Sequence, residues 1–245
     1  DLRMSRGLGD VYKRQGLALS GGGIKGAAHI GVMQAFKEEN IGIDVISGTS
    51  IGSIVASLYA MEYTPNEMLK LFNYFSKIIF KNSAMYTDTK GKKSLSIKAG
   101  GLYSGENIAF AIEEAGKYKN VKKMQDLKIP IAIPAVDLKD SEKYVFTNVE
   151  KINEKYLNKA DISIAVRASS SYPAIFAPCI YNKHKFVDGG ILDNIPVEET
   201  RKIGADKVIA VKFKLNKTSR TVGIRSTLNL SLIHISEPTR HAQIS

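Results

Sequence analysis

A serine placed between two closely spaced glycines separates an apolar strand from a helix, and this arrangement restricts what the chain can fold into. Residues 44–55 read DVISGTSIGSIV. The apolar residues before Gly48 are typical of a buried strand, and those after Gly52 recur at helical spacing. A strand-to-helix connection needs one glycine at most. Two glycines around Ser50 therefore predict a turn too tight for side chains, which projects the serine outward.

Strand-like and helix-like segments alternate along the rest of the chain. The predicted strands are 16–20, 43–47, 129–136, 144–147, 185–187 and 207–211, and the predicted helices are 27–39, 51–61, 65–80, 106–116 and 197–203. This alternation predicts an α/β fold in which helices cover both faces of a mostly parallel central sheet. Residues 81–101 are lysine-rich and show no period, so we expect a loop or lid there.

The two ends of the chain are expected to be foreign to the native protein. Residues 5–15 read SRGLGDVYKRQ, and residues 230–240 read LSLIHISEPTR. One set of codons for the first segment encodes the second when it is read on the complementary strand, which indicates adapter DNA at both ends. We therefore expect adapter-derived ends at 1–15 and 230–245, and a single domain over 16–229 that is truncated at its C-terminus.

The net charge and the cysteine content restrict the binding partners and the redox compartment that we expect for the protein. The chain has 35 Lys and Arg residues against 24 Asp and Glu residues, a formal net charge of +11. This excess favours contact with an anionic surface, either membrane lipid or nucleic acid. The single cysteine, Cys179, excludes an intrachain disulfide and fits a reducing compartment such as the cytoplasm. No apolar run approaches the ~20 residues of a membrane-spanning helix.

A second glycine-rich segment, SGGGIKG over residues 20–26, follows the first predicted strand. It matches the G-x-G-x-x-G pattern of dinucleotide-binding loops at Gly21, Gly23 and Gly26, and Asp44 lies near the spacing of a ribose-binding acid. The other interpretation is an oxyanion hole, in which unobstructed N–H groups converge on an oxygen that becomes negative in the transition state. The pattern by itself leaves both interpretations open.

A serine nucleophile needs a base, and a carboxylate is the better-supported choice. Outside the two ends, His29 is expected to be packed within the first helix and His184 to be solvated at a polar turn. Asp188 follows a short apolar strand and precedes two glycines in FVDGG. An aspartate within ~2.6–3.2 Å of the Ser50 hydroxyl satisfies the geometric requirement for a general base.

Together these segments resemble the patatin-like phospholipase family over nearly all of residues 16–229. The motifs that carry the resemblance are GGGIKGAAHIG (21–31), GTSIG (48–52), ASSSYPAIFAP (168–178) and DGG (188–190) with Asn194 and Pro196 after it. The resemblance implies a three-layer, patatin-like catalytic domain that hydrolyses acyl esters of lipids without a metal or other cofactor. Together with the basic charge and the single cysteine, this reaction class leads us to expect a cytoplasmic protein that makes peripheral contact with anionic membrane and does not bind nucleic acid.

The resemblance further assigns roles to individual residues. It implies that Ser50 is the nucleophile and Asp188 the base of a dyad that works through an acyl-enzyme. The residues implied to line the oxyanion hole are Gly21, Gly22, Gly23 and Ile51. The positions implied to support these motifs are Lys25, Gly26, Gly48, Gly52, Gly189 and Gly190.

Two other functions remain open on the sequence. A nucleotide-binding module of the Rossmann type would use the glycine loop and leave Ser50 unreactive. A non-catalytic lipid-binding domain would keep the fold and bind lipid without turnover.

Overall fold

The computed structural model describes residues 13–79, 85–87, 93–95, 101–150, 152–213 and 243–244. Its helices are α1 (Ala27–Glu38), α2 (Ile51–Ala60), α3 (Pro65–Ile79), α4 (Glu106–Lys119), α5 (Ile162–Ser169) and α6 (Val197–Lys202). Its strands are β1 (Gln15–Leu19), β2 (Val45–Gly48), β3 (Met85–Thr87), β4 (Lys93–Leu95), β5 (Gly101–Tyr103), β6 (Ile131–Asp137), β7 (Glu142–Thr147), β8 (Tyr156–Leu157), β9 (Ala174–Phe176), β10 (Cys179–Tyr181), β11 (His184–Asp188), β12 (Lys207–Lys212) and β13 (Gln243–Ile244). Short 3₁₀ turns lie at Gly23–Gly26, Met124–Asp126 and Gly189–Ile191.

A nine-stranded sheet organises the fold, in the order β10-β11-β6-β2-β1-β12-β13, with β7 beside β6 and β8 beside β7. The central strands β6, β2, β1 and β12 are parallel to one another. Antiparallel pairs join β11 and β7 to β6, β10 to β11, and β13 to β12. The predicted parallel centre is confirmed, and the structure adds antiparallel strands around it.

Strand β6 brings the ends of β2 and β11 close together. Antiparallel β7 occupies one edge of β6 from Ala132 to Asp137. Because a strand has only two edges, β2 and β11 share the other one: β2 pairs with Ile131 and Ala132, and β11 pairs from Ala135 onward. The two strands therefore lie end to end. Pro134, which has no N–H to offer a neighbouring strand, lies in the gap between them.

Helices cover the two faces of the sheet unequally. Helices α1 to α5 bury the larger core on one face, where the fully buried aromatic side chains are Phe146 and Phe186. The other face is covered by α6 and by a small cluster made of Val45, Ala132, Val145, Ile203 and Ala205. The predicted three-layer α/β architecture is thus confirmed.

The differences from the predicted elements are local. The segment 81–101, predicted to be a loop or lid, contains β3, β4 and the first residue of β5. Its remaining residues, which include Lys90, Lys92 and Lys98, lie outside the described residues. The elements predicted from the sequence did not include α5 or the short strands β8, β9 and β10. These three strands are too brief to show a period.

Two strands touch the ends that we assigned to adapter DNA. Strand β1 begins at Gln15, whose backbone N–H donates to the Asp44 carboxylate at 2.8 Å. Strand β13 pairs with β12 within the other end. The adapter origin of 1–15 and 230–245 stays a prediction.

Replacement of Phe146 by alanine tests the larger core. The Phe146 ring is fully buried and meets the Phe186 ring edge-on, with centroids 5.3 Å apart. We expect Phe146→Ala to lower the free energy of unfolding by about 3–5 kcal/mol in urea denaturation, because it removes buried apolar surface and leaves a cavity. The control Tyr118→Ala, at a side chain that is 77% exposed, should change it by about 0.5 kcal/mol or less. Equal effects of the two substitutions would contradict this placement of the core.

Candidate active site

Ser50 lies on a strained turn between β2 and α2. Its backbone has φ 54° and ψ −123°, a positive φ that residues with a side chain rarely adopt. Such strain persists only where surrounding contacts hold it, and it is concentrated at functional sites. Here the Ser50 N–H donates to Ser169 Oγ at 3.0 Å, and the Thr49 N–H donates to the Leu19 carbonyl at 3.1 Å.

The two glycines around Ser50 are required by close backbone contacts. A Cβ atom on Gly48 would lie 2.2 Å from the Gly52 carbonyl oxygen, and one on Gly52 would lie 2.5 Å from the Leu19 carbonyl oxygen. Both distances are far below van der Waals contact. The G-x-S-x-G spacing therefore reflects a turn in which α2 begins directly against the end of β1.

Asp188 ends β11 and accepts a hydrogen bond from Ser50. The Ser50 hydroxyl donates to Asp188 Oδ2 at 2.6 Å, and the Gly190 N–H donates to Oδ1 at 2.8 Å. Asp188 is 3% exposed, and this burial raises the pKa of its carboxyl group, an effect that the bonds from Ser50 and Gly190 partly oppose. A buried carboxylate with a raised pKa on a serine hydroxyl is suited to accept its proton.

The glycines after Asp188 let the chain pass through the gap on the edge of β6. A Cβ atom on Gly189 would lie 2.2 Å from the Pro134 carbonyl oxygen. One on Gly190 would lie 2.9 Å from Asp188 Oδ1 and 3.0 Å from Asn194 Oδ1. Side chains at either position would displace the carboxylate from the serine.

The glycine loop after β1 lies beside Ser50. A Cβ atom on Gly21 would be 3.3 Å from the Ser50 Cβ atom, but the Gly21 N–H already donates to the Asn194 carbonyl at 3.1 Å. Gly21 therefore leaves room beside Ser50, and its N–H is already bonded; its place in the lining of the oxyanion hole stays a prediction. Gly22 and Gly23 are exposed. Among the described residues, no acceptor is bonded to their N–H groups or to that of Ile51.

Lys25 and Gly26 complete the loop without reaching the serine. Lys25 is exposed on the 3₁₀ turn Gly23–Gly26. A Cβ atom on Gly26 would lie 2.0 Å from Cγ1 of Ile51, so Gly26 allows the turn to pack against the start of α2. The supporting role of both residues stays a prediction.

The two histidines are bonded elsewhere. His29 is fully buried in α1 with Nε2 2.8 Å from the Ser20 carbonyl oxygen, and burial lowers its pKa to about 4, although the bond to Ser20 opposes this. The expected packed histidine is therefore observed. The expectation that His184 is solvated is wrong, because its Nδ1 lies 2.7 Å from Oδ2 of the buried Asp137. No pattern in the sequence predicted the contact between His184 and Asp137, which are 47 residues apart.

A buried ionic cluster that sequence reasoning missed holds the loop after β11. Lys143 Nζ lies 2.8 Å from both Asp193 Oδ2 and Glu199 Oε1, and the Tyr156 hydroxyl donates to the other oxygen of Glu199. Burial alone would lower the pKa of Lys143, but these two carboxylates raise it. The Asp193 carbonyl accepts the Thr49 hydroxyl at 2.8 Å. The cluster thus connects β7 to the residue before Ser50.

The position of Asp44 does not favour a dinucleotide site. Asp44 precedes β2 and accepts the N–H of Gln15 at 2.8 Å. The glycine loop follows the other end of β1, and β1 and β2 are parallel. Asp44 therefore lies at the amino ends of these parallel strands and the glycines lie at their carboxyl ends. A ribose-binding acid must lie at the same end of the strands as the phosphate loop.

The sheet, the serine on its strand-to-helix turn and the aspartate bonded to it define the class: an α/β protein built around a Ser–Asp pair. The family model described as patatin-like phospholipase matches residues 17–201. The chain belongs to this family, and the resemblance read from the motifs is confirmed.

Individual relatives share this region with the chain. Lysophospholipase NTE1 of Candida albicans is 32% identical over 199 residues, which are 80% of this chain and 13% of that protein. Lysophospholipase NTE1 of Meyerozyma guilliermondii is 30% identical over 213 residues, or 86% of this chain and 13% of that protein. An uncharacterized NTE family protein of Mycobacterium bovis is 29% identical, over 84% of this chain and 50% of that protein. The chain therefore spans half or less of the length of these relatives.

Substitution of Asp188 by asparagine tests whether the buried carboxylate lowers the stability of the fold. Because burial raises the folded-state pKa, Asp188 favours folding only where it is protonated, and this contribution is lost as the pH rises through that pKa. Asparagine can still accept from the Gly190 N–H through its amide oxygen, its amide nitrogen can donate to the Ser50 hydroxyl, and it carries no charge. We expect Asp188→Asn to have a higher thermal unfolding midpoint than wild type at pH 8, with a gap that narrows toward pH 4. A variant less stable than wild type at pH 8 would contradict the raised pKa.

Removal of the Lys143 ammonium group tests the ionic cluster. We expect Lys143→Met to lower the free energy of unfolding by about 3 kcal/mol in urea denaturation, because Glu199 is fully buried and would lose its closest cation. The matched control is Lys155→Met, which breaks the exposed pair with Glu142 at 3.1 Å and should cost about 1 kcal/mol or less. A loss for Lys143→Met no larger than the control's would show that the cluster does not stabilise the fold.

Proposed function

We propose that this domain is a lipid acyl hydrolase, a carboxylesterase of phospholipase A type, in which Ser50 is the nucleophile and Asp188 the base. The observation that carries the proposal is the 2.6 Å hydrogen bond from the Ser50 hydroxyl to Asp188 on a strained strand-to-helix turn. Membership of the patatin-like phospholipase family supports the reaction class. The names of the two fungal relatives make lysophospholipids the first substrates to test.

The proposed reaction proceeds through an acyl-enzyme. As Ser50 Oγ attacks the ester carbonyl carbon, its proton passes to Asp188. The C–O bond to the alcohol then breaks, and Asp188 returns the proton to the leaving oxygen. A water molecule gives a proton to Asp188 and attacks the acyl carbon. The bond from that carbon to Ser50 Oγ then breaks, the fatty acid is released, and Asp188 returns the proton to Ser50 Oγ.

The oxyanion that forms in each step needs nearby donors. The N–H groups of Gly22, Gly23 and Ile51 are the proposed donors, because they are not bonded within the described part of the chain. Ile51 directly follows Ser50, and Gly22 and Gly23 directly follow Gly21, which packs against Ser50. The N-terminus of α2 adds a favourable dipole. The loss of one such donor typically raises the barrier by roughly 3–4 kcal/mol.

We also propose a cytoplasmic location with peripheral contact to anionic membrane and no role for nucleic acid. The net charge of +11 supports the membrane contact, and the single cysteine supports the location. Membership of a phospholipase family makes lipid, rather than nucleic acid, the proposed anionic partner. In the part of the chain that the structure describes, no helix has the length and apolar character needed to cross a bilayer.

Fluorophosphonate labelling followed by mass mapping tests the nucleophile. We expect the label on Ser50, and we expect Ser50→Ala and Asp188→Asn each to reduce kcat for a soluble short-chain ester by at least about a thousandfold, because the two residues act as a unit. The control Ser76→Ala, at a partly exposed serine on α3 whose hydroxyl donates to the Asn73 carbonyl at 3.2 Å, should keep wild-type turnover.

The other functions give different results in the same assays. A non-catalytic lipid-binding domain predicts lipid binding without labelling of Ser50, and a nucleotide-binding module predicts a calorimetric signal with a dinucleotide. Near-wild-type esterase activity of either dyad variant, or a label on another serine, would refute the proposed dyad.

A further inference from the structure

Two hairpin turns extend past the carboxyl ends of the parallel strands, which form the edge of the sheet at which Ser50 lies. Ser50 follows the carboxyl end of β2, and β6 runs parallel to β2, so the β6–β7 turn at residues 138–141 leaves the sheet at the same edge. Strand β11 is antiparallel to β6, and its first residues lie next to Asp137 at the end of β6. The β10–β11 turn at residues 182–183 therefore projects from this edge as well.

Aliphatic side chains on these hairpins are exposed and adjacent. Leu138 is 51% exposed and Ile180 is 71% exposed. The Leu138 N–H donates to the Lys185 carbonyl at 2.9 Å, and Ile180 pairs with Lys185 across β10 and β11. The three residues form one row across neighbouring strands, and directly opposed residues of a sheet point to the same face.

Basic side chains surround this row. The exposed lysines of the two hairpins are Lys139, Lys183 and Lys185. Of the nearby acids, Glu142 is paired with Lys155 at 3.1 Å. The Tyr144 hydroxyl that Asp140 accepts at 2.8 Å is neutral and cancels no charge. The three lysines outnumber this one acid, so the edge presents a net positive charge to a partner.

The lysine at the tip of the second hairpin is held on a rigid backbone. Asn182 and Lys183 have φ values of 47° and 66°, as in a two-residue type I′ turn. Glycine is the favoured residue at the second position of such a turn. Lysine in that place carries a cation at the tip in spite of an unfavourable backbone conformation.

We propose that these hairpins dock on an anionic phospholipid bilayer, and we call the surface the hairpin platform; it consists of Leu138, Lys139, Ile180, Lys183 and Lys185. Charge complementarity selects this partner, because the lysines attract anionic headgroups while the two aliphatic side chains enter the acyl boundary. Lys185 and Asp188 lie on the same short strand, with backbones about 10 Å apart at ~3.3 Å per residue, and their side chains face opposite sides of the sheet because they are three residues apart. A bilayer bound at the hairpin tips would thus lie against the end of the sheet at which Ser50 is found, and the inference rests on the proposed function.

Vesicle co-sedimentation with two multiple variants tests the platform. We expect wild type to bind phosphatidylglycerol vesicles more tightly than phosphatidylcholine vesicles and to be released by 0.5 M salt, about three times the ionic strength of ordinary buffers. Lys139→Gln, Lys183→Gln and Lys185→Gln combined should weaken binding to phosphatidylglycerol by about a hundredfold, at about fivefold per lysine. Leu138→Ser combined with Ile180→Ser should weaken it by about tenfold.

The matched control carries three lysine-to-glutamine substitutions at the opposite edge of the sheet, at Lys37, Lys123 and Lys128, which are also exposed. It should bind vesicles nearly as well as wild type. If the control loses as much binding as the platform variant, or the platform variants bind like wild type, the inference is overturned. A wild-type dimer that the platform substitutions convert to a monomer would also overturn it and would identify an interface between two copies.

A soluble short-chain ester separates this inference from the proposed function. Both platform variants should hydrolyse the soluble ester at the wild-type rate, because the platform lies outside the Ser50–Asp188 pair, and should lose activity only on phosphatidylglycerol vesicles. Wild type that binds vesicles through the platform but hydrolyses no ester would refute the function and leave the docking intact. Equal loss on both substrates would show that the substitutions damage the site and would refute the platform.

Discussion

The shared edge of β6 is the constraint on which the candidate site depends. Since β7 occupies the whole of the other edge, β2 and β11 must follow one another along the remaining one. Their meeting point brings together Ser50 and Asp188, which are 138 residues apart in the chain. A change that shifted the register of either strand by one residue would turn its terminal side chain to the opposite face. The pairing of the sheet and the chemistry of the site are therefore fixed by the same contacts.

Backbone proximity, rather than a pocket of large side chains, shapes the site. The glycines at 48, 52 and 189 each face a carbonyl oxygen at a distance that excludes a Cβ atom. Around this dense backbone the protein buries a carboxylate that would be more stable in water. The hydrogen bonds from Ser50 and Gly190 offset only part of that cost, so the buried Asp188 carboxylate lowers the stability of the local structure.

The sequence was most informative where a residue type is demanded by local geometry. The glycine spacing around Ser50 and the aspartate before Gly189 follow from turns that tolerate few alternatives, and they were readable without a structure. The cluster around Lys143 was not, because a lysine on an alternating strand has the same pattern whether it faces water or a buried Glu199. The His184–Asp137 pair was hidden for the same reason. Strands β8 to β10 have two or three residues each, so their positions are set by tertiary pairing and not by propensity.

Phe213, just beyond β12, links the chain that follows the sheet to the glycine loop. A Cβ atom on Gly22 would lie 2.3 Å from its ring, and the same ring packs on His29 with centroids 4.5 Å apart. The Phe213 ring therefore packs directly against Gly22, whose N–H is one of the proposed oxyanion donors. The residue that follows β12 is thus in direct contact with the glycine loop, and this contact involves neither Ser50 nor Asp188.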